Sequence, residues 1–315
     1  MQSTLKPLLR PLPILGLSTV SLYLAATLST SSKAATAMSS TTNASISNPY
    51  NITPYTPRHA TWPYNPSDFT RQDSSPDTSF YSSPRFVTHI DDAAIASLRS
   101  YYATALPTQG RILDFCSSWI SHYPPALEHA ATEEENPSLK ITGMGMNKAE
   151  LAANKLLNNG RLLIDLNSTP GAVASALRSA NAIGASEDEL LDASTCVVSI
   201  DYLTSPVAVL QSILSVTKPG GTIHLTISNR CFPTKAMSRW LRVDEGERLQ
   251  MVGDYLHFAG WKGIEIVEVS DGKVEQQDTE GEGSSGARSL QGLFGMMGMM
   301  RARDPLWVVR ARRED

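Results

Sequence analysis

The stretch Arg111-Ile-Leu-Asp-Phe-Cys-Ser-Ser-Trp-Ile-Ser-His122 passes from a short apolar run into an aspartate and then into small polar residues. Such a run reads as a buried strand that delivers backbone to a ligand. Parallel sheets bind ligands at the carboxyl ends of their strands, where a following helix offers unpaired N–H groups. Further on, Leu214-Ser-Val-Thr-Lys-Pro-Gly-Gly-Thr-Ile-His-Leu-Thr-Ile-Ser228 reads as a helix end, a tight turn and another apolar strand. Together the two segments suggest an open α/β sheet.

Working outward, apolar runs predict strands at 111–115, 139–143, 161–165, 195–200 and 221–228, with two more at Trp261–Ser270 and Leu306–Arg312. Helical spacing predicts helices around 120–130, 147–157, 171–181, 205–217 and 235–259, the last interrupted. Before the first strand, Ile95, Leu98, Tyr102 and Ala105 recur at alternating three- and four-residue intervals, and Asp91 and Asp92 favour the first turn of that amphipathic helix. This alternation is the pattern of a doubly wound parallel sheet.

The chain has 315 residues, 41% of them hydrophobic and 18% charged, enough for one sizeable α/β core with extensions. Its formal charge of −4 is unevenly spread: Lys6, Arg10, Lys33 and Arg58 precede the first acidic residue, Asp68. An acidic body has no general attraction for nucleic-acid phosphates, so no nucleic-acid partner is expected. Cys116, Cys196 and Cys231 lack zinc-site spacing and cannot form a complete disulfide set, and the histidines are scattered, so no metal is assigned.

The Asp-Phe-Cys-Ser-Ser-Trp segment, Gly143-Met-Gly-Met-Asn147, Ser199-Ile-Asp-Tyr-Leu-Thr-Ser-Pro206, Lys218-Pro-Gly-Gly221 and Ser228-Asn-Arg-Cys-Phe232, taken in order, resemble the Rossmann-like S-adenosylmethionine-dependent methyltransferase superfamily, in a branch related to the type 11 methyltransferases. The resemblance runs from about Phe80 to Arg310. It implies a mostly parallel seven-stranded sheet whose last two strands form an antiparallel hairpin. It also implies S-adenosyl-L-methionine as cosubstrate and methyl transfer to a small-molecule acceptor.

The resemblance places the methionine portion of the cosubstrate at the end of the first strand, at Asp114, Cys116, Ser117 and Ser118, although Cys116-Ser-Ser-Trp119 stands where the family has a glycine loop. Cys116 and Trp119 also read as core packing. At the end of the second strand the family's ribose-binding carboxylate is replaced by Gly145, and Asn147 could substitute through its amide oxygen. Asp165 occupies the adenine-binding position, or caps the next turn. Asp201 and Tyr202 could orient an acceptor or accept a proton, and Tyr202 could equally be a pocket wall. Asn229 and Arg230 suit an anionic acceptor, or Arg230 closes the sheet edge in a salt bridge. Tyr255, His257 and Phe258 could cover the cleft. The missing glycines and carboxylate also admit a rival reading, a methyltransferase-like binding or regulatory protein without turnover.

The leading segment is read as separate from the domain. Residues 1–45 form a targeting segment or disordered chain, 46–87 an irregular extension whose aromatics pack in part on the domain, and 88–315 the methyltransferase-like domain, with a flexible insertion at 271–303. Between Leu17 and Ile46, 14 of 30 residues are Ser or Thr and none is acidic, as in transit sequences, so an organelle, with mitochondria favoured, is expected. The alternative is secretion. The apolar run is too short and too interrupted by Ser18, Thr19 and Ser21 for a stable membrane span.

Overall fold

A computed structural model describes residues 49–133, 135–273 and 303–315. The chain divides into units 1–47 and 48–315, and the description concerns the second. The expected leader at 1–45 and most of the expected insertion at 271–303 lie outside the described residues.

In chain order the elements are β1 (Asn51–Pro54), α1 (Asp77–Phe80), α2 (Asp92–Ala105), β2 (Gly110–Phe115), α3 (Pro125–Thr132), β3 (Leu139–Gly145), α4 (Lys148–Ala153) and β4 (Gly160–Leu163). There follow α5 (Val173–Ser179), β5 (Leu191–Val197), α6 (Pro206–Leu214), β6 (Thr217–Ser228), α7 (Glu245–Phe258), β7 (Lys262–Ser270) and β8 (Leu306–Arg312). They build one sheet in the order β1-β7-β8-β6-β5-β2-β3-β4. The strands β4, β3, β2, β5 and β6 run parallel to one another, while β8 runs antiparallel to both β6 and β7.

The sheet thus has eight strands where the sequence reading expects seven. The extra one, β1, pairs antiparallel with β7, Ile52 facing Val267. Its four residues lie in a Pro-, Ser- and Asn-rich tract that hides any alternation, and Pro54 is tolerated because the strand sits at the sheet edge. Other boundaries shift for local reasons. Proline restricts the residue before it to extended backbone and fits the first helical turn, so the Pro124-Pro125 pair delays α3 to residue 125. Asp244, accepting from the backbone N–H of Glu247 at 2.8 Å, starts α7 well after residue 235.

Period-two alternation divides the core between the two faces of the sheet. Leu113 and Phe115 of β2 join Ile223, Leu225 and Ile227 of β6 under α5, α6 and α7, whereas Ile112 faces α2 and α3. On the second face His224 and Thr226 are also buried, and each meets a tyrosine of α2: Tyr101 Oη lies 2.9 Å from His224 Nδ1 and Tyr102 Oη 3.2 Å from Thr226 Oγ1. Burying these polar groups is tolerable because each has a partner.

The extension is part of this body. Tyr55 and Tyr64 both donate to Asp254 of α7, at 2.6 and 2.5 Å. Trp62 packs with Tyr64, Phe69, Tyr255 and Phe258. That cluster absorbs Tyr255, His257 and Phe258, which do not line the cleft described below.

Candidate functional site

From β2 the chain winds through β3 to β4 at one edge, and then returns to β5 on the other side of β2. Between β2 and β5 the direction of winding reverses, which leaves a crevice at the carboxyl ends of the strands. A cavity of about 280 Å³ lies there. Its walls come from the loops after β2, β3, β4, β5 and β6, and from the extension between Asp77 and Ile90.

The floor is a polar network centred on Asp114. This buried carboxylate accepts from Ser117 Oγ and Ser121 Oγ, each at 2.7 Å, and Thr195 Oγ1 lies 3.4 Å away. Burial pushes its pKa up to about 6, against the lowering effect of those hydroxyls. Asn154 adds a donor to Ser121 Oγ at 2.8 Å and another to the Ser118 carbonyl at 3.2 Å. Ser117 and Ser118 line the cavity, but the Ser117 hydroxyl is already committed to Asp114.

Two non-glycine residues of this loop adopt left-handed backbone, Cys116 at φ 54° and His122 at φ 56°. That conformation is uncommon for side-chain-bearing residues and bends the chain sharply around the cavity. Cys116 lines the cavity, so its side chain is not purely core packing. His122 lines it too; the residue is 6% exposed, Nδ1 is buried without a partner, and neither ring nitrogen is hydrogen-bonded among the described residues. Burial, helped by Arg99 and His89, lowers its pKa to about 4, which keeps the imidazole neutral near pH 7.

Asn147 does not reach the cavity. Its Oδ1 accepts from the backbone N–H groups of Ala149 and Glu150, capping α4, and its Nδ2 donates to the carbonyls of Tyr81 and Ser82. With both oxygen and nitrogen engaged, its amide has little capacity left for a ribose. Glu150 lines the cavity instead, with Oε1 accepting from the Arg85 N–H at 2.6 Å and Oε2 taking no hydrogen bond among the described residues. The Asn147-x-x-Glu150 spacing is a capping signature that could have revealed both assignments.

Asp165 lines the cavity while serving its own turn: Oδ1 accepts from the N–H groups of Asn167 and Ser168, and Oδ2 from Ser168 Oγ. Tyr202 is a wall residue whose Oη accepts from the Phe232 N–H at 2.8 Å. Burial holds its phenol well above the usual range, so it keeps its proton. Asp201 is 2% exposed and outside the cavity wall, and its Oδ2 has no partner. Asn229 is exposed and likewise outside the wall. Arg230 lines the cavity but forms the edge salt bridge, Nε to Asp304 Oδ1 at 2.7 Å.

The roof had no counterpart in the sequence reading. Three side chains hold it: the Asn147 amide donates to the carbonyls of Tyr81 and Ser82, the Glu150 carboxylate accepts from the Arg85 N–H, and Trp119 Nε1 donates to the Val87 carbonyl at 3.0 Å. At its start Asp77 accepts from Arg71 at 2.8 Å and from Asn167 at 2.7 Å, and pairs with the fully buried Lys235 at 3.2 Å. No group of three His, Cys, Asp or Glu side chains suited to a metal ion occurs among the described residues.

No protein-family model matches the chain, and no curated protein matches it. Among solved structures it is similar to the [4+2]-cyclase SpnF, at 16% identity and a TM-score of 0.43, over 75% of this chain and 91% of that one. It is also similar to a SAM-dependent methyltransferase from Archaeoglobus fulgidus, at 12% identity and a TM-score of 0.42, over 70% and 94% of the two chains. A third is Haemonchus contortus phosphoethanolamine N-methyltransferase 2 in complex with S-adenosyl-L-methionine, at 16% identity and a TM-score of 0.39. There the match covers 71% of this chain and 53% of the other, so the chain spans about half the length of that enzyme.

Proposed function

We propose that the cleft binds S-adenosyl-L-methionine and that the protein transfers its methyl group to a small-molecule acceptor. The observation that carries this reading is the set of carboxylates at the switch point: Asp114 at the end of β2, Glu150 in the first turn of α4 and Asp165 after β4 line one cavity. An ammonium, a pair of ribose hydroxyls and an exocyclic amine are all donors, and a cleft rich in carboxylate acceptors fits them. Met144, Ile164, Leu166 and Val197 supply apolar wall for a flat ring.

A dinucleotide fits less well. Its pyrophosphate needs glycines that open backbone toward the ligand, whereas Gly143 and Gly145 serve internal packing. A Cβ at Gly145 would lie 2.1 Å from the Ser117 carbonyl oxygen, and one at Gly143 2.4 Å from Leu157.

Asp114, Ser118 and Cys116 would hold the methionine portion, Glu150 the ribose and Asp165 the adenine. Bound there, S-adenosylmethionine supplies an electrophilic methyl group. The residues of this chain then have two tasks. The roof over 77–90 and the wall around Tyr202 and Phe232 fix the acceptor and exclude water, and alignment of this kind accounts for much of the rate of a displacement reaction. His122, neutral and with its ring nitrogens unpartnered, takes the proton that the acceptor releases. Asp201, outside the wall, takes no part.

Calorimetric titration of the full chain with S-adenosylmethionine and S-adenosylhomocysteine tests the reading. Binding of both is expected, and absence of both at millimolar concentration sinks it. His122→Ala should then lower kcat by about a hundredfold or more while leaving cosubstrate affinity unchanged. The leader at 1–45 belongs to the same proposal as an organellar address, with mitochondria favoured.

A further inference from the structure

Arg85 projects from the roof into the wall of the cavity, and it is held there by unusual means. Its backbone N–H is fixed to Glu150, and its Nη2 donates to the Phe80 carbonyl at 3.0 Å. The guanidinium carbon sits 4.5 Å from the centre of the Phe80 ring, 5.6 Å from Phe232 and 5.8 Å from Tyr81. These rings position the fork and supply cation–π attraction, but they cannot accept its N–H bonds in the plane. Nη1 is buried with no hydrogen-bond partner.

What makes this notable is the number of carboxylates close by that are otherwise engaged. Asp77 belongs to Arg71 and Lys235, Asp114 to its serines, and Asp165 to its turn. Glu150 takes the Arg85 backbone rather than its side chain. The other cavity arginine, Arg230, is paired with Asp304, whereas Arg85 has no ion pair among the described residues. A guanidinium keeps its charge, and its planar donors match an oxyanion better than any other ligand. Beside it, Tyr81, Tyr202, Phe232 and His89 turn ring surfaces onto the same wall, with Phe232 5.3 Å from His89 and 6.0 Å from Tyr202.

We propose that Arg85 and the surrounding rings form the acceptor subsite, and that the acceptor is a small molecule bearing a carboxylate or phosphate on a flat unsaturated frame. The proposal rests on the methyl-transfer reading and names its acceptor class. In the reaction the acceptor's lone pair forms a bond to the methyl carbon. The carbon–sulfur bond breaks with its electron pair left on sulfur, giving S-adenosylhomocysteine, and the acceptor's proton passes to His122.

The test is calorimetric titration of the full chain with 4-hydroxybenzoate, phenyl phosphate and the uncharged 4-hydroxybenzamide, each with and without S-adenosylhomocysteine. At least one anion should bind, the benzamide should bind about tenfold more weakly or not at all, and Arg85→Gln should weaken the anion about tenfold while leaving S-adenosylhomocysteine affinity unchanged. Arg85→Lys, which keeps the charge and loses the fork, should recover part of the affinity. The tighter of the two anions assigns the oxyanion as carboxylate or phosphate. Failure of both anions to bind, equal binding of the benzamide, or an Arg85→Gln protein that is folded and binds the anions normally would each overturn the proposal. Arg85-dependent anion binding without any S-adenosylhomocysteine binding would instead overturn the methyl-transfer reading and leave the oxyanion subsite standing.

Discussion

Asp201 is a carboxyl group without solvent and, at Oδ2, without a partner, and burial pushes its pKa up to about 8 from an ordinary 3.8. The folded state therefore holds this proton more tightly than the unfolded state does. Its contribution to stability is fully present below about pH 4 and is lost as the pH rises through about 8. Asp201→Asn removes the titration, so the variant should gain stability relative to the parent across that window. Urea midpoints at pH 5 and pH 8 check this, and an identical pH dependence in the two proteins would refute it. Asn147 and Glu150 separate cap from ligand in the same way. Asn147→Ala should destabilise the fold by about 1–2 kcal/mol through loss of the α4 cap. Glu150→Gln should leave the urea midpoint nearly unchanged and weaken S-adenosylmethionine binding more than methionine binding, because only the former carries ribose. A Glu150→Gln protein that binds both normally would remove Glu150 from the ribose site. The positions of Asp114 and Asp165 in the cavity wall were legible in the sequence because an acidic residue at the end of an apolar strand points to the carboxyl edge of the sheet. Asn147 was expected at the ribose, whereas its side chain satisfies local backbone, and the place of His122 in the cavity wall was not legible because distant loops assemble its environment.

At the scale of elements, β1 docks on the body through a gap in a helix. A Cβ on Gly253 of α7 would lie 2.3 Å from the Tyr55 ring, so only glycine admits the residue that follows β1. Gly253→Ala gains helix propensity but overpacks this contact, and the contact should win, with a net loss of about 1–3 kcal/mol. Thermal unfolding and limited proteolysis of the 49–64 segment together check this; a more stable variant with an intact segment would show that the ring moves aside freely. The strands β2 to β8 were readable from short apolar or alternating runs, clearest in β2, β3 and β8, whose residues the sheet mostly buries, and weakest at β4, which is half-exposed at the sheet edge. Neither β1 nor the roof had such a signal. Four residues ending in proline are too short for a period, and the roof is held by a few hydrogen bonds with the side chains of Asn147, Glu150 and Trp119, all made to its backbone, so they leave no pattern in the residues they grip.

For the whole molecule, the boundary between units after residue 47 changes what an address experiment should contain. Asn51 lies in β1, where its Nδ2 donates to Glu268 at 3.1 Å, so the chain from there onward belongs to the sheet and the proposed address is tested on residues 1–47. Fused to a fluorescent reporter, residues 1–47 should carry it out of the cytosol, with mitochondria the expected destination because the segment is basic, rich in Ser and Thr and free of acid. The chain from residue 48 should fold and bind S-adenosylmethionine with the affinity of the full chain, whereas removal through residue 90 takes away β1, the Tyr55 and Tyr64 contacts to Asp254 and the roof, and should abolish binding. Secretion would expose Asn43-Ala-Ser and the solvent-accessible Asn51-Ile-Thr as glycosylation acceptors. A glycosidase-sensitive mass increase on the full chain would overturn the organellar assignment in favour of the secretory route, and a reporter diffuse in the cytosol would overturn both.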